Sequence, residues 1–193
     1  MCVRWGPAGH AWLRDCLASG SDDKRVLIWR RESRGAEPDG QQQRMWRGNL
    51  EGGVDGGEED YRVVARLCHH GSDVTCVEWS PDGRFLATGS LDKAVIVYEC
   101  RSSAGSEVEF KQTVRFELKG FVKGLAWDPL GRLLLAQTDA PVRPCHVWRV
   151  PQASDTDTSA STSFEELPVT DDLQDGSFLK GSETFFTRPS WMP

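Results

Sequence analysis

The stretch Leu86-Ala87-Thr88-Gly89-Ser90-Leu91-Asp92-Lys93, followed by the apolar run Val95-Ile96-Val97-Tyr98, decides the fold. The same pattern occurs earlier in the chain as Leu17-Ala18-Ser19-Gly20-Ser21-Asp22-Asp23-Lys24, followed by Val26-Leu27-Ile28-Trp29. Repetition on this scale indicates supersecondary units that bury their apolar faces only by stacking on one another. The sequence therefore predicts an architecture built from repeated sheets.

Each copy is preceded by another shared strand that ends in tryptophan. These strands are Cys2-Val3-Arg4-Trp5, Cys76-Val77-Glu78-Trp79 and, in a degraded third copy, Gly124-Leu125-Ala126-Trp127. The residues that follow are Ser80-Pro81-Asp82-Gly83 in the second copy and Asp128-Pro129-Leu130-Gly131 in the third. Proline presets φ for a turn and glycine tolerates positive φ, so each copy is predicted to consist of strands joined by tight turns.

The tryptophans that end these strands are unevenly spaced. Trp5 and Trp79 are 74 residues apart, whereas Trp79 and Trp127 are 48 residues apart. A repeat of this kind needs about 40–45 residues, so the first interval holds an excess. That excess, residues 33–60, is polar and glycine-rich and is predicted to be a flexible surface insertion. The three tryptophans, with Trp191 at the corresponding later position, are predicted to pack between neighbouring sheets.

These features resemble the WD-repeat β-propeller family, in which a histidine, a hydroxyl, an acid and an aromatic residue form one hydrogen-bonded network. Such a network stabilises a sheet only when it is complete. The resemblance assigns the network to Ser19, Asp23 and Trp29 in the first copy, His70, Thr88 and Asp92 in the second, and Trp148 in the third. Tyr98 replaces the aromatic residue of the second copy, and Ala140 stands where the third copy should carry its acid.

The expected fold is all-β, an incomplete WD-repeat β-propeller of about three blades plus the start of a fourth. The predicted segments are an incomplete three-strand blade at 1–32, a flexible insertion at 33–60, a blade at 61–100, a degenerate blade at 101–150, an acidic Ser/Thr-rich linker at 151–177 and the start of a further blade at 178–193. Propellers have about four to eight blades. We therefore expect a part of a longer protein or, alternatively, a half-propeller that another chain completes.

Charge and composition narrow the classes of partner. The net charge of −6 comes entirely from residues 151–193, which hold 8 acids and 2 bases, because residues 1–150 hold 21 of each. Direct nucleic-acid binding needs clustered lysine and arginine, so it is not expected. No stretch approaches the roughly 18 apolar residues of a membrane span, so no membrane association is expected. The six cysteines lack a disulfide framework and are predicted to be intracellular thiols.

Longer stretches resemble the HIRA/Hir family of histone chaperones. The most specific is Phe121-Val122-Lys123-Gly124-Leu125-Ala126-Trp127-Asp128-Pro129-Leu130-Gly131, which is close to that family's Leu-Val-Lys-Gly-Leu-Thr-Trp-Asp-Pro-x-Gly. Thr184-Phe185-Phe186-Thr187-Arg188-Pro189-Ser190-Trp191 is similar to the family's Tyr-Phe-Arg-Arg-Pro-Ser-Trp. The middle subunit of chromatin assembly factor shares the Trp-Asp-Pro-Leu-Gly turn, but the Val-Lys-Gly and Arg-Pro-Ser-Trp runs favour HIRA/Hir.

This resemblance implies a nuclear scaffold subunit for replication-independent nucleosome assembly and transcriptional regulation. The implied partners are complex subunits of the ubinuclein/Hpc2 type and, through the complex, histones H3–H4. The alternatives are the chromatin assembly factor subunit and an unrelated propeller adaptor, for example in a ubiquitin ligase or RNA-processing complex, because a fold does not fix a function.

Partner contacts are expected in the loops of one propeller face, because loops on a rigid scaffold carry function. The candidate residues are Asp22, Lys24, Ser72, Asp73, Leu91 and Lys93. They belong to the turns of the first and second copies, next to the acids of the network.

No catalytic site, metal or cofactor is predicted. Cys68-His69-His70 and Cys76 are metal-ligand types, but zinc needs four converging ligands, and the second histidine and Cys76 are already assigned to the network and a strand. The run Gly52–Gly57 lacks the Lys-Ser/Thr pair and the helix of a phosphate loop. Asp23 and Asp92 occupy equivalent turns of different copies, so they are predicted to be structural acids rather than an acid–base couple.

Overall fold

The computed structural model describes residues 2–31, 60–102, 108–151 and 163–169. Within these ranges the secondary structure is β-strand, with a single short 3-10 helix at Leu13–Asp15. The strands are β1 (Cys2–Trp5), β2 (Cys16–Gly20), β3 (Val26–Arg31), β4 (Tyr61–Leu67), β5 (Val74–Trp79), β6 (Phe85–Ser90), β7 (Ala94–Ser102), β8 (Val108–Glu117), β9 (Val122–Trp127), β10 (Leu133–Thr138), β11 (Cys145–Arg149) and β12 (Glu165–Leu167). The predicted all-β fold is confirmed.

The strands form three antiparallel four-stranded sheets, each in chain order. The first blade is β1-β2-β3-β4, the second is β5-β6-β7-β8, and the third is β9-β10-β11-β12. One hydrophobic cluster joins the first and second blades, with Ile28 and Leu86 among its buried members. Another joins the second and third blades, with Val97 and Leu125 among its members. The second blade is therefore packed on both faces.

The outer strand of each blade comes from the sequence that follows its three inner strands. Tyr61–Leu67 pairs with β3 and completes the first blade, although the sequence segments had placed it in the blade at 61–100. Residues 165–167 lie in the segment predicted to be a linker, yet they pair with β11. An edge strand exposes unpaired N–H and C=O groups, so pairing with the outer strand satisfies one edge of each sheet. Residues 33–59 and 178–193 lie outside the described residues.

The connection between β1 and β2 is not the tight turn that the other copies suggested. Residues 6–15 form a longer loop that ends in the 3-10 helix, with Leu13 fully buried in the first hydrophobic cluster. The ring of His10 lies against Gly83, whose φ is +73°, and an added Cβ there would come within 2.7 Å of His10 Cδ2. The loop of the first blade thus covers the turn of the second, which is why it is longer than a hairpin turn.

Two of the repeated tryptophans pack between blades as predicted from the sequence. Trp79 is 7 % exposed and Trp127 is 8 % exposed, and each lies in a core cluster. The prediction is wrong for Trp5, which is 60 % exposed. The described residues place no sheet on its side of β1, and its ring meets only Tyr61, edge-on at 6.1 Å. Trp191 lies outside the described residues.

Candidate functional site

The second blade carries a continuous hydrogen-bonded chain that ends in the β6–β7 turn. Asp92 lies in this turn, and its Oδ2 accepts the backbone N–H of Gly71 at 2.8 Å and lies 3.0 Å from His70 Nδ1. The other ring nitrogen of His70, Nε2, lies 2.8 Å from Thr88 Oγ1. The structure thus brings together His70, Thr88 and Asp92, and their chain ties the loop before β5 to strand β6.

The protonation states of this chain follow from burial and from its hydrogen bonds. Burial lowers the pKa of His70, although the neighbouring Asp92 carboxylate opposes that shift. Burial acts to raise the pKa of Asp92, but hydrogen bonds from Gly71, His70 and Ala94 outweigh it and hold the pKa below its ordinary value. A neutral His70 that donates from Nδ1 to an ionised Asp92 can accept the Thr88 hydroxyl at Nε2. Both ring nitrogens are therefore engaged within the protein.

Arg115 extends this chain to the outer strand, and the sequence reasoning missed it. Its Nη2 donates to Asp92 Oδ2 at 3.3 Å, and its Nη1 donates to the carbonyl of His69 at 3.1 Å. A hydrogen bond to Glu117 is the main reason why the pKa of Arg115 is raised. The available signal was a cation on the strand that pairs with β7, directly opposite Ile96. Arg115 therefore connects β8 to the turn acid.

The aromatic position of the network differs between the first two blades. In the first blade Trp29 donates its indole N–H to Ser19 Oγ at 2.9 Å. In the second blade Tyr98 is fully buried, is hydrogen-bonded to Thr88, and has its hydroxyl 3.2 Å from His69 Nδ1. Burial raises the pKa of Tyr98, so the phenol stays protonated. Tyrosine therefore keeps the link from β7 to the hydroxyl of β6 and adds His69 to the chain.

The first blade has only part of the network among the described residues. Asp23 is exposed, and its Oδ1 accepts the backbone N–H of Arg25 at 3.0 Å. Its own N–H donates to Ser21 Oγ at 3.3 Å. No described histidine bridges Asp23 to Ser19, so the acid closes its own turn and the Ser19–Trp29 bond stands apart from it.

The third blade has lost the turn acid, as the sequence comparison of the copies indicated. The N–H of Ala140 bonds to Thr138 Oγ1 at 3.3 Å, just as the N–H of Asp92 bonds to Ser90 Oγ at 3.0 Å. Ala140 therefore occupies the position of Asp92. The neighbouring Asp139 accepts the N–H of Phe121 at its Oδ1, at 2.6 Å, and holds the shorter loop in place of the missing histidine.

Trp148 is retained in the third blade through packing. Its ring is 1 % exposed and stacks on Phe116 at 4.3 Å and on His146 at 5.8 Å. Ala136 stands at the strand position that Thr88 holds in the second blade, so it offers no hydroxyl to the indole. The third blade thus replaces a polar network with an aromatic stack.

The six residues predicted to contact partners lie on or beside the turns that carry the network. Three are exposed, namely Asp22, Lys24 and Lys93. Three are half-buried, namely Ser72, Asp73 and Leu91. Lys24 and Lys93 adopt left-handed backbone conformations, with φ of 71° and 66°, at equivalent turn positions. The carbonyl of Asp73 accepts the N–H of Leu91 at 3.0 Å, so that pair also fixes the turn to its neighbouring loop.

The described residues show no group of three or more His, Cys, Asp or Glu side chains arranged to hold a metal ion. Cys76 is buried in β5, and burial raises its pKa to about 12, which disfavours the thiolate that a metal needs. The same part of the chain contains no helix with the length and apolarity to span a bilayer.

Three stacked four-stranded sheets, one of them closed by the complete histidine–hydroxyl–acid chain, define a WD-repeat β-propeller. The family model "WD domain, G-beta repeat" matches residues 1–30 and 61–99. The solved β-propeller domain of Cps50 (Swd1) from Myceliophteria thermophila matches with a TM-score of 0.51, covering 77 % of this chain and 39 % of that one. Its sequence is 14 % identical, so it bears on the fold alone.

Curated relatives match the chain over its whole length. HIR1 of Mycosarcoma maydis is 33 % identical over 100 % of this chain, HIR1 of Cryptococcus neoformans is 31 % identical over 100 %, and hir1 of Schizosaccharomyces pombe is 30 % identical over 99 %. The chain belongs to the HIRA/Hir family of WD-repeat proteins. It spans 15 %, 18 % and 17 %, respectively, of the length of these three relatives.

Proposed function

We propose that this chain acts as a scaffold in a nuclear histone chaperone complex, which assembles nucleosomes independently of replication and regulates transcription. The observation that carries the proposal is the match to HIR1 proteins over the whole chain, at 30–33 % identity. The proposed partners are ubinuclein/Hpc2-type subunits, which contact the blades directly, and histones H3–H4, which are reached through the complex.

The geometry of the second blade supports binding rather than catalysis. His70 and Asp92 are the groups best suited to proton transfer, but His70 uses both of its ring nitrogens within the protein. The Asp92 carboxylate is likewise occupied by the N–H groups of Gly71 and Ala94. These contacts make the turn rigid, and rigid turns present side chains such as Lys93 to a partner at low entropic cost.

Affinity purification of the tagged chain from nuclear extract tests the proposal. We expect histones H3–H4 and a ubinuclein/Hpc2-type protein to be recovered with it. The charge reversals Lys24→Glu and Lys93→Glu should reduce that recovery, whereas Lys111→Glu, at an exposed site on the outer strand β8, should not. Recovery of chromatin assembly factor, ubiquitin-ligase or RNA-processing subunits in place of these partners would overturn the proposal.

A further inference from the structure

Arg84 lies at the junction of the second and third blades without a carboxylate partner. Its guanidinium carbon is 4.9 Å from the centroid of the Phe85 ring, and its Nη1 donates to the carbonyl of Pro151 at 3.3 Å. No carboxylate among the described residues forms an ion pair with it. A guanidinium has five N–H donors in a planar fork, so Arg84 keeps donors free for an anion.

Ser163 lies across from this arginine. In the β11–β12 ladder Arg149 pairs with Glu165 and Trp148 pairs with Glu166. Continuing that register by two residues sets Ser163 opposite Pro151, whose carbonyl Arg84 already binds. Facing residues in an antiparallel sheet have Cα atoms about 4.5–5.5 Å apart, so the exposed Ser163 comes close to the guanidinium.

The residues after Ser163 are acidic and accessible. Glu165 and Glu166 follow it by two and three positions, and their side chains are 63 % and 49 % exposed. Protein kinases choose among substrates by charge pattern, and one class selects a carboxylate three residues after the acceptor serine. We propose that Ser163 is the phosphate acceptor for an acidophilic serine/threonine kinase and that Arg84 binds the phosphate.

The transfer itself needs only the kinase and MgATP. The Oγ of Ser163 attacks the γ-phosphorus, the new O–P bond forms as the bond to the bridging oxygen breaks, and ADP leaves. The hydroxyl proton passes to the catalytic base of the kinase. The phosphoserine carries a charge of about −1.5 to −2 and three acceptor oxygens, which a guanidinium can bind in a bidentate manner.

The phosphate would strengthen a contact between blades that is already present. Phe164 packs edge-on against Phe85 at 5.5 Å and against Phe116 at 5.9 Å, and both of these rings belong to the second blade. The strand β12 has only three residues and pairs only with β11. A phosphoserine bound to Arg84 therefore fastens a short outer strand of the third blade to the second blade.

The experiment treats the full chain with a purified acidophilic kinase and MgATP, locates phosphate by mass spectrometry and follows amide hydrogen exchange in β12. We expect phosphate on Ser163, none at this site in Ser163→Ala, and roughly tenfold slower exchange after phosphorylation, as charge-assisted hydrogen bonds would give. Arg84→Gln should accept phosphate normally but lose the slowing. The control Arg132→Gln, at an exposed arginine of the β9–β10 turn, should keep both effects.

Two results would overturn the proposal. If Ser163 receives no phosphate while other residues of the chain do, or if the chain receives none, then the site is wrong. If Ser163 is phosphorylated but β12 exchanges no more slowly, or slows equally in Arg84→Gln, then Arg84 does not bind the phosphate.

Discussion

Trp127 donates its indole N–H to the main-chain carbonyl of Glu78 at 3.0 Å, and this bond joins the third blade to the second. Trp79 makes the same contact one blade earlier, with the carbonyl of Arg4 at 3.3 Å. In both cases the acceptor is the residue before the tryptophan of the preceding blade. The repeated tryptophan therefore fixes the spacing of neighbouring sheets as well as filling the core between them.

The first prediction compares two tryptophans at the same strand position. Trp79→Ala should lower the free energy of unfolding by about 3–5 kcal/mol, because it removes a buried indole and leaves a cavity. Trp5→Ala should lower it by less than about 1 kcal/mol, since that ring is 60 % exposed rather than 7 %. Urea unfolding followed by circular dichroism measures both. Equal losses would show that the two residues do not have the different surroundings described.

The second prediction concerns the turn acids. Asp92→Asn should cost about 2–3 kcal/mol, because it weakens charge-assisted bonds to His70, Gly71 and Arg115. The matched change Asp23→Asn should cost less than about 1 kcal/mol, since Asp23 is exposed and closes only its own turn. The same unfolding assay reports both values, and a larger loss for Asp23→Asn would contradict the network as described.

The third prediction is a pH dependence with two parts. The pKa of His70 is lower in the folded protein than its ordinary value of 6.5, so the unfolded chain binds the proton first. Stability should therefore be complete above pH 6.5 and fall as the pH drops from there to the folded pKa. Asp92 also has a lowered pKa, so its contribution is present above pH 3.8 and is lost as the pH falls further through the folded pKa.

Unfolding free energies measured between pH 7.5 and 3 in steps of about 0.5, with His70→Gln as the control, test this dependence. The variant should lose the part of the fall that begins at pH 6.5 and keep the more acidic part. An unchanged pH profile in His70→Gln would show that His70 does not titrate as described.

The fourth prediction concerns the close approach of neighbouring blades. A Cβ on Gly89 would lie 2.5 Å from Cγ1 of Val122, so Gly89→Ala should destabilise the protein by about 1–3 kcal/mol. Adding Val122→Ala should recover part of that loss, because it removes the methyl group that clashes. Gly9→Ala is the control, since nothing lies within 4 Å of its added Cβ. Failure of the double variant to recover any stability would contradict this packing.

Local sequence signals were enough to predict the three inner strands of each blade. Alternating apolar residues and Pro/Gly turns act over a few positions, so they can be read without knowing the tertiary structure. The loss of the acid at Ala140 could be read in the same way, by aligning the third copy with the second. The long loop at residues 6–15 could not, because its length depends on covering Gly83 in the next blade.

Contacts set by strand register were beyond the sequence reasoning. Arg115 reaches Asp92 only because β8 pairs with β7 in a register that places Arg115 opposite Ile96. Another case is the cross-strand pair Cys76–Gly89, which becomes Gly124–Gln137 in the third blade, so the glycine changes strand. A pattern read along one strand shows neither relationship, because each depends on which residues face each other.

The central claim is that tryptophan-bearing sheets stack blade on blade to form a scaffold. Hydrogen exchange of the tryptophan indole N–H groups, followed by NMR, tests it most directly. We expect the indole protons of Trp79 and Trp127 to exchange slowly, because each is bound to a carbonyl of the preceding blade, and that of Trp5 to exchange rapidly. Equally rapid exchange at all three positions would contradict the stacking.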